Sequence, residues 1–279
     1  MNVGRTAART LYFGNRNQNP PHWTPFEWLD PRHGAQAKGE VAVIVPEGSS
    51  GELAAGLWRT GHHIAGCTED GSCEVVYSAP LGDETMVLLE GSARITETAT
   101  GKVHHVGAGS IISNPKGVDL HWEIERPFLK KFWVMWNSPH PVRQFEHLFV
   151  ANIHDNPAQW TPFEWQEPGL GTQCVGELHL VREQGSTGRY LCGVWRTGPG
   201  MPGCATDGSV TTRYSAPMGD ETSLLLEGEV EVVREDTGER HLFRAGDILC
   251  LPRGVPVRWT SRAPYVKKFF VITHADPAG

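Results

Sequence analysis

The sequence predicts an all-β protein built as two tandem barrels related by internal duplication, and three observations carry that expectation. The first is a repeat: Trp23-Thr24-Pro25-Phe26-Glu27-Trp28 recurs as Trp160-Thr161-Pro162-Phe163-Glu164-Trp165, at an offset of 137 residues. The second is that the offset persists without a gap. It carries Trp58-Arg59-Thr60-Gly61 onto Trp195-Arg196-Thr197-Gly198, Tyr77-Ser78-Ala79-Pro80 onto Tyr214-Ser215-Ala216-Pro217, and Lys130-Lys131-Phe132 onto Lys267-Lys268-Phe269. A period this long duplicates a whole domain, and a copy of about 120 residues can bury its own core. The third is that 32 Gly and 20 Pro cut the chain into short runs rich in Val, Ile, Leu and aromatics, with no long helical periodicity.

In the first copy the apolar runs at 40–45, 52–59, 73–78, 85–90, 92–98, 102–106, 110–114, 119–125 and 129–136 each read as a strand. Roughly nine strands per half is the spacing expected of a closed barrel or sandwich. The Thr-Pro-Phe-Glu-Trp segment ahead of each barrel reads as an aromatic flap on the barrel mouth or on the partner barrel. The expected boundaries are an N-terminal arm at 1–18, the first barrel at 19–136, a connector at 137–155 and the second barrel at 156–279. The connector, with Pro139 and Pro141 followed by 142–150, reads either as one short helix between the barrels or as an extension of the last strand, with the helix the better fit.

Composition narrows the function. With 39% hydrophobic residues, 20% charged residues and a net charge of −7, the chain has neither the basic cluster nor the positive field that nucleic acid or an anionic membrane would require. Met1 to Tyr12 lacks an apolar core of the signal-peptide kind, and no run approaches the length of a membrane span. Six cysteines form no CxxC pair and only Cys67 and Cys204 are equivalent, which favours free thiols in a reducing setting. A cytoplasmic protein acting on a small molecule, and forming a homodimer, is expected.

Two motifs recur in order in both halves. Glu84 to Gly91 reads Glu-Thr-Met-Val-Leu-Leu-Glu-Gly, and Glu221 to Gly228 reads Glu-Thr-Ser-Leu-Leu-Leu-Glu-Gly; further on, Pro115-Lys116-Gly117 is matched by Pro252-Arg253-Gly254. Leu-Glu-Gly ends one strand and turns into the next, and Pro-x-Gly makes the tight turn before a pocket-lining strand. These strings resemble the two short motifs of the cupin superfamily, so the chain resembles a bicupin: two cupin barrels of the double-stranded β-helix, or jelly-roll, kind. The resemblance implies a metal site of three His and one carboxylate, but its His-x-His positions hold Ser78 and Pro80, or Tyr77 and Ala79, and its later His falls at Leu120 and Val257. The Asp-Glu, Trp and Lys-Lys-Phe combination is similar to the branch containing ethanolamine-utilisation cupins and ureidoglycine aminohydrolase-like bicupins. Many of its members line the pocket with Tyr, Trp, Glu and Lys without the common metal site. The manganese ligands of the ureidoglycine enzymes do not map here residue by residue.

Within that frame Glu84 is the expected acid/base, because burial in a barrel raises a carboxyl pKa toward the working range. Tyr77, seven residues earlier, and Lys131 complete the expected catalytic set. Trp122, Lys130 and Asp83 are expected to contact substrate, with Glu221, Tyr214 and Trp259 as their counterparts in the second barrel. Only one lysine of each Lys-Lys pair can face the interior on an alternating strand, and it needs an anionic partner such as Glu84 or Glu221. The first copy alone holds His62, His63, Cys73, His105 and His121, against Pro199, Gly200, Val210, Leu242 and Arg258. Convergence of His62, His63 and His121 near Glu84 would hold one divalent transition metal in the first barrel. His121 joins only if the strand bulges, since by alternation it faces away from Trp122. The leading expectation is an enzyme of isomerase, lyase or hydrolase type using acid/base chemistry on a small polar metabolite in the N-terminal barrel. The rivals are a metal-dependent aminohydrolase or oxygenase, and a noncatalytic binding or assembly module.

Overall fold

The computed structural model describes residues 10–262 and 264–275. The first half comprises β1 (Tyr12–Asn15), β2 (Thr24–Asp30), β3 (Gly34–Val45), β4 (Glu52–Gly61), β5 (Cys73–Tyr77), β6 (Asp83–Glu90), β7 (Ser92–Glu97), β8 (Val103–Gly107), β9 (Ser110–Asn114), β10 (Leu120–Ile124) and β11 (Phe128–Asn137). The second half repeats them as β12 (Phe149–Asn152), β13 (Thr161–Glu167), β14 (Gly171–Arg182), β15 (Arg189–Thr197), β16 (Thr211–Tyr214), β17 (Asp220–Glu227), β18 (Glu229–Arg234), β19 (Arg240–Arg244), β20 (Asp247–Leu251), β21 (Val257–Ser261) and β22 (Val266–His274). Each half is a seven-stranded sheet closed over a four-stranded one, in the orders β12-β9-β6-β11-β4-β3-β2 with β5-β10-β7-β8, and β1-β20-β17-β22-β15-β14-β13 with β16-β21-β18-β19. This is the expected pair of cupin barrels. Among the described residues no helix is long and apolar enough to cross a membrane.

The two halves exchange their leading strands. β1 pairs antiparallel with β20 of the second barrel, while β12 pairs with β9 of the first. The arm thus serves the far barrel, and the connector supplies an edge strand, not the expected helix. Pro139 and Pro141 cannot donate to a helical ladder, whereas Phe149–Asn152 finds an open edge to complete.

Period-two alternation on β11 partitions the molecule. Lys131, Trp133 and Met135 face the interior of the first barrel, while Phe132, Val134 and Trp136 join an apolar layer with Leu57, Val87 and Ile111. The second barrel adds Tyr190, Cys192, Val194, Phe269 and Val271 to that layer, so the barrels meet through the outer faces of their large sheets. Phe132 and Phe269 are the same residue of the two repeats and meet edge to face at 6.2 Å, which places them on the pseudo-two-fold axis. Gly91 shows why the Leu-Glu-Gly turn demands glycine: φ is +84° and a Cβ would stand 2.2 Å from the Phe128 carbonyl oxygen.

Candidate functional site

β6 and β11 pair through the barrel wall and bring Glu84 and Lys131 onto its inner face. Lys131 Nζ donates to Glu84 Oε1 at 2.8 Å and lies 3.3 Å from Met86 Sδ. Its charge stands over the rings of Trp58 and Trp122, 5.0 and 5.7 Å from their centroids, a placement that adds cation–π attraction to the ion pair. A cavity of about 40 Å³ opens on this pair, walled by Phe26, Trp58, Tyr77, Glu84, Lys131 and Trp133. A second lobe of about 30 Å³ shares Phe26, Trp58, Tyr77 and Lys131 and adds Trp28 and Trp122. Burial and the charge of Glu84 push the Tyr77 phenol well above its ordinary pKa, so at neutral pH it is a hydrogen-bond donor and not a base.

The second barrel repeats the design with one change. Lys268 is hydrogen-bonded to Glu221 and lies 4.9 and 4.7 Å from the Trp195 and Trp259 centroids. Tyr214 donates to Glu221 Oε2 at 2.8 Å, and Ser223 donates to Oε1 at 2.9 Å. Burial alone would raise the Glu221 carboxyl, but the Lys268 charge and these hydrogen bonds outweigh it and hold the pKa below the usual carboxylate value. The cavity here is about 20 Å³, and its wall of Phe163, Trp165, Trp195, Tyr214, Trp259 and Lys268 does not include Glu221. The position of Ser223 is Met86 in the first barrel, where Glu84 remains part of the cavity wall.

Of the residues singled out from the sequence, the fold gathers Glu84, Tyr77, Lys131 and Trp122 around one cavity, and Glu221, Tyr214, Lys268 and Trp259 in the other barrel. Asp83 is not there. One step along β6 from Glu84, it points into the barrel interface, where it accepts from Arg182 Nη2 at 2.9 Å, from Ser186 N and Oγ at 2.6 Å each, and from Lys116 N at 2.9 Å. Lys130 is likewise outside the cavity. It is buried on the other side of the strand, where loss of solvent lowers its pKa against the pull of Glu90.

The histidines do not converge. The His62 and His63 rings lie 3.6 Å apart, tilted by 47°, in an exposed loop, and His62 bonds the Glu69 carbonyl. β10 runs without a bulge, so His121 stays on the outer face, 3.6 Å from Glu74. Among the described residues no three His, Cys, Asp or Glu side chains are grouped to hold a metal. Ser78, at a position where the resemblance implies a ligand, instead donates to Asp30 at 3.0 Å. The residues present do not fit the expected metal.

Sequence reasoning missed Phe26, Trp28, Trp58, Trp133 and the Met86/Ser223 difference. Phe26 and Trp28 belong to β2, an edge strand whose register with β3 shifts between Pro25 and Glu27, and which lines the cavity and is not a flap across its mouth. Counting by two from Lys131 would have found Trp133, and the 137-residue offset already displays Met86 opposite Ser223.

Residues 184–270 match the EutQ-like cupin domain family. Among curated proteins none matches the sequence significantly. The fold is similar to that of a protein of unknown function from Pseudomonas syringae, with 18% identity over 95% of this chain and 99% of that one and a TM-score of 0.60. It is also similar to a putative glyoxylate induced protein from Pseudomonas aeruginosa, at 13% identity, 96% and 92% coverage and a TM-score of 0.58. Bacillus subtilis oxalate decarboxylase aligns at 11% identity over 96% of this chain and 78% of its own, with a TM-score of 0.53. At these identities the likeness is one of fold.

Proposed function

We propose, for a chain that has the bicupin fold and whose residues 184–270 match the EutQ-like cupin domain, that the first barrel is an acid/base site for a small polar metabolite. The observation that carries this reading is the contrast between two equivalent carboxylates. Glu221 is saturated by Lys268, Tyr214 and Ser223, whereas Glu84, held by Lys131 and the Tyr77 phenol, has Met86 in place of the serine donor and forms part of the cavity wall. A carboxylate in that position takes a proton from a bound substrate and returns it at a neighbouring atom. The Lys131 ammonium stands ready to stabilise the negative charge that develops meanwhile, and the aromatic walls keep bulk water away from both. Tyr77 contributes a neutral O–H to orient the ligand, and Trp122 forms an apolar wall. Isomerisation and elimination at a carbon that carries an acidic proton both use this set.

Proton exchange gives the test. Protein incubated with a cell metabolite extract in heavy water should place solvent deuterium in one small metabolite, and Glu84→Gln should abolish the incorporation. Because that substitution strands Lys131, the double variant Glu84→Gln/Lys131→Met provides a version with no lone buried charge. Equal incorporation by wild type and both variants, or none by wild type, would overturn the proposal.

A further inference from the structure

We propose that Cys67 and Cys73 form a reversible disulfide driven by hydrogen peroxide, an oxidative modification site that the first repeat carries and the second lacks. The two cysteines bracket the turn 68–72, ahead of β5. Thr68 N donates to the Ser72 carbonyl at 2.8 Å, and Gly71 N donates to the Thr68 carbonyl at 3.0 Å. Asp70 Oδ1 pins the turn from inside, accepting from Thr68 Oγ1 at 2.7 Å and from Ser72 N and Oγ at 3.0 and 2.7 Å. Cys67 and Cys73 are the next pair outward from Thr68 and Ser72. Facing residues of such a pair stand about 4.5 Å apart at Cα, within the roughly 4.4–6.8 Å over which a disulfide closes.

The sulfur contacts agree with that placement. Cys73 Sγ lies 3.4 Å from the carbonyl oxygen of Gly66, the residue before Cys67, and the two thiols are hydrogen-bonding neighbours. They differ in access. Cys73 is 2% exposed, and burial, with Cys67 beside it, pushes its thiol up to about 12. Cys67 is only half-buried, so an oxidant in solution reaches Cys67 first. The Cys67 sulfur attacks one oxygen of hydrogen peroxide, the O–O bond breaks and water leaves, giving the Cys67 sulfenic acid. The Cys73 sulfur then attacks the Cys67 sulfur. An S–S bond forms as the S–O bond breaks, and the departing hydroxide takes the Cys73 proton as a second water. Two thiols thereby lose two electrons to one peroxide, and a dithiol reductant returns them by exchange.

The second repeat shows that the fold does not require the pair. It builds the same turn, with Ala205 N donating to the Ser209 carbonyl and Gly208 N to the Ala205 carbonyl, each at 2.8 Å, and with Asp207 accepting from Ser209 N and Oγ. It keeps Cys204 in the place of Cys67 but has Val210 in the place of Cys73. In the first barrel Cys73 is paired with Ile124 of β10, and Ile124 and Val75 line the lobe that holds Trp122. The new bond would tie the loop ahead of β5 to that wall. This site stands whether or not Glu84 moves a proton.

Reduced full-length protein treated with hydrogen peroxide, alkylated, and mapped by mass spectrometry without reduction tests the proposal. The wild-type segment holding both cysteines should lose two hydrogens and resist alkylation at each, and dithiothreitol should restore both thiols. Cys73→Val installs the second repeat's own residue in the turn; there Cys67 should stop at the sulfenic acid and be captured by dimedone. Cys67→Ser should leave Cys73 a free thiol under the same treatment. Alkylation of both Cys67 and Cys73 after peroxide would overturn the proposal, as would linkage of either one to another cysteine, within the chain or between chains. Capture of Cys67 by dimedone in wild type to the same extent as in Cys73→Val would overturn it as well.

Discussion

Glu84 and Glu221 are one position of the repeat in two hydrogen-bonding environments, and the residue two places along the strand separates them. Ser223 gives Glu221 a hydroxyl donor at 2.9 Å, whereas Met86 offers a thioether that contacts Lys131 instead. Both lie on the inner face of β6 or β17, so the difference acts directly on the carboxylate.

Met86→Ser should therefore close the first site. A serine there gives Glu84 the extra donor that Glu221 has, and one hydrogen bond to a charged group is worth about 1.5–3 kcal/mol. Deuterium incorporation per folded molecule should fall by about tenfold or more, alongside a stability loss of about 2–5 kcal/mol from truncating a fully buried methionine; incorporation at the wild-type rate would contradict the role assigned to Met86.

Acid should act on the second barrel through Glu221. Its folded pKa is lowered relative to an unfolded value of about 4.3. The stability it contributes is present above that unfolded value and is lost as pH falls through the lower folded one. Urea midpoints measured from about pH 6 down to about pH 2 should drop across this window in wild type. Ser223→Ala, which removes one hydrogen bond to the charged form, should move the drop to higher pH. A drop unmoved by the substitution would exclude Glu221 as its source.

Asp83 and Asp220 predict unequal costs. Asp83 and Arg182 form an ion pair with both side chains essentially unexposed, while Asp220 accepts from the backbone N–H groups of Ser49 and Arg253. Val45 stands where the second repeat has Arg182, so no equivalent cation faces Asp220 from that position. Asp83→Ala should cost about 3–5 kcal/mol by stranding a buried guanidinium. Denaturant unfolding should show a smaller loss for Asp220→Ala.

Much of this was legible in the sequence because a long exact offset is hard to mistake. It gave the two barrels, and Glu84, Tyr77 and Trp122 follow from motif position and alternation, while alternation requires only that one of Lys130 and Lys131 face inward and does not say which. Alternation also bears on the rest: Asp83 and Lys130 sit one step from cavity residues and thus on the other face, although the bulge between Lys130 and Lys131 is not visible in composition. What sequence could not supply was the partner of each outer face. Asp83 finds Arg182 and Ser186 about a hundred positions away, across an interface that no local pattern encodes. The connector misled for the same reason: its strand is specified by the open edge of β9 and not by its own periodicity.

Strand exchange makes a further prediction. Removing residues 1–18 takes β1 from the second barrel, so hydrogen exchange at Ile248 and Cys250 of β20 should accelerate, while Ile111 and Ile112 of β9, still covered by β12, keep their protection. Acceleration confined to the first barrel would contradict the exchanged topology.

The edge-to-face contact of Phe132 with Phe269 has a consequence for how the barrels diverge. A single-repeat chain folded this way would meet its twin at that point, and every substitution there would alter both sides of the seam together. In the joined chain each side mutates alone. A serine can then saturate one carboxylate while a methionine leaves the other in its cavity wall, with the seam between them untouched.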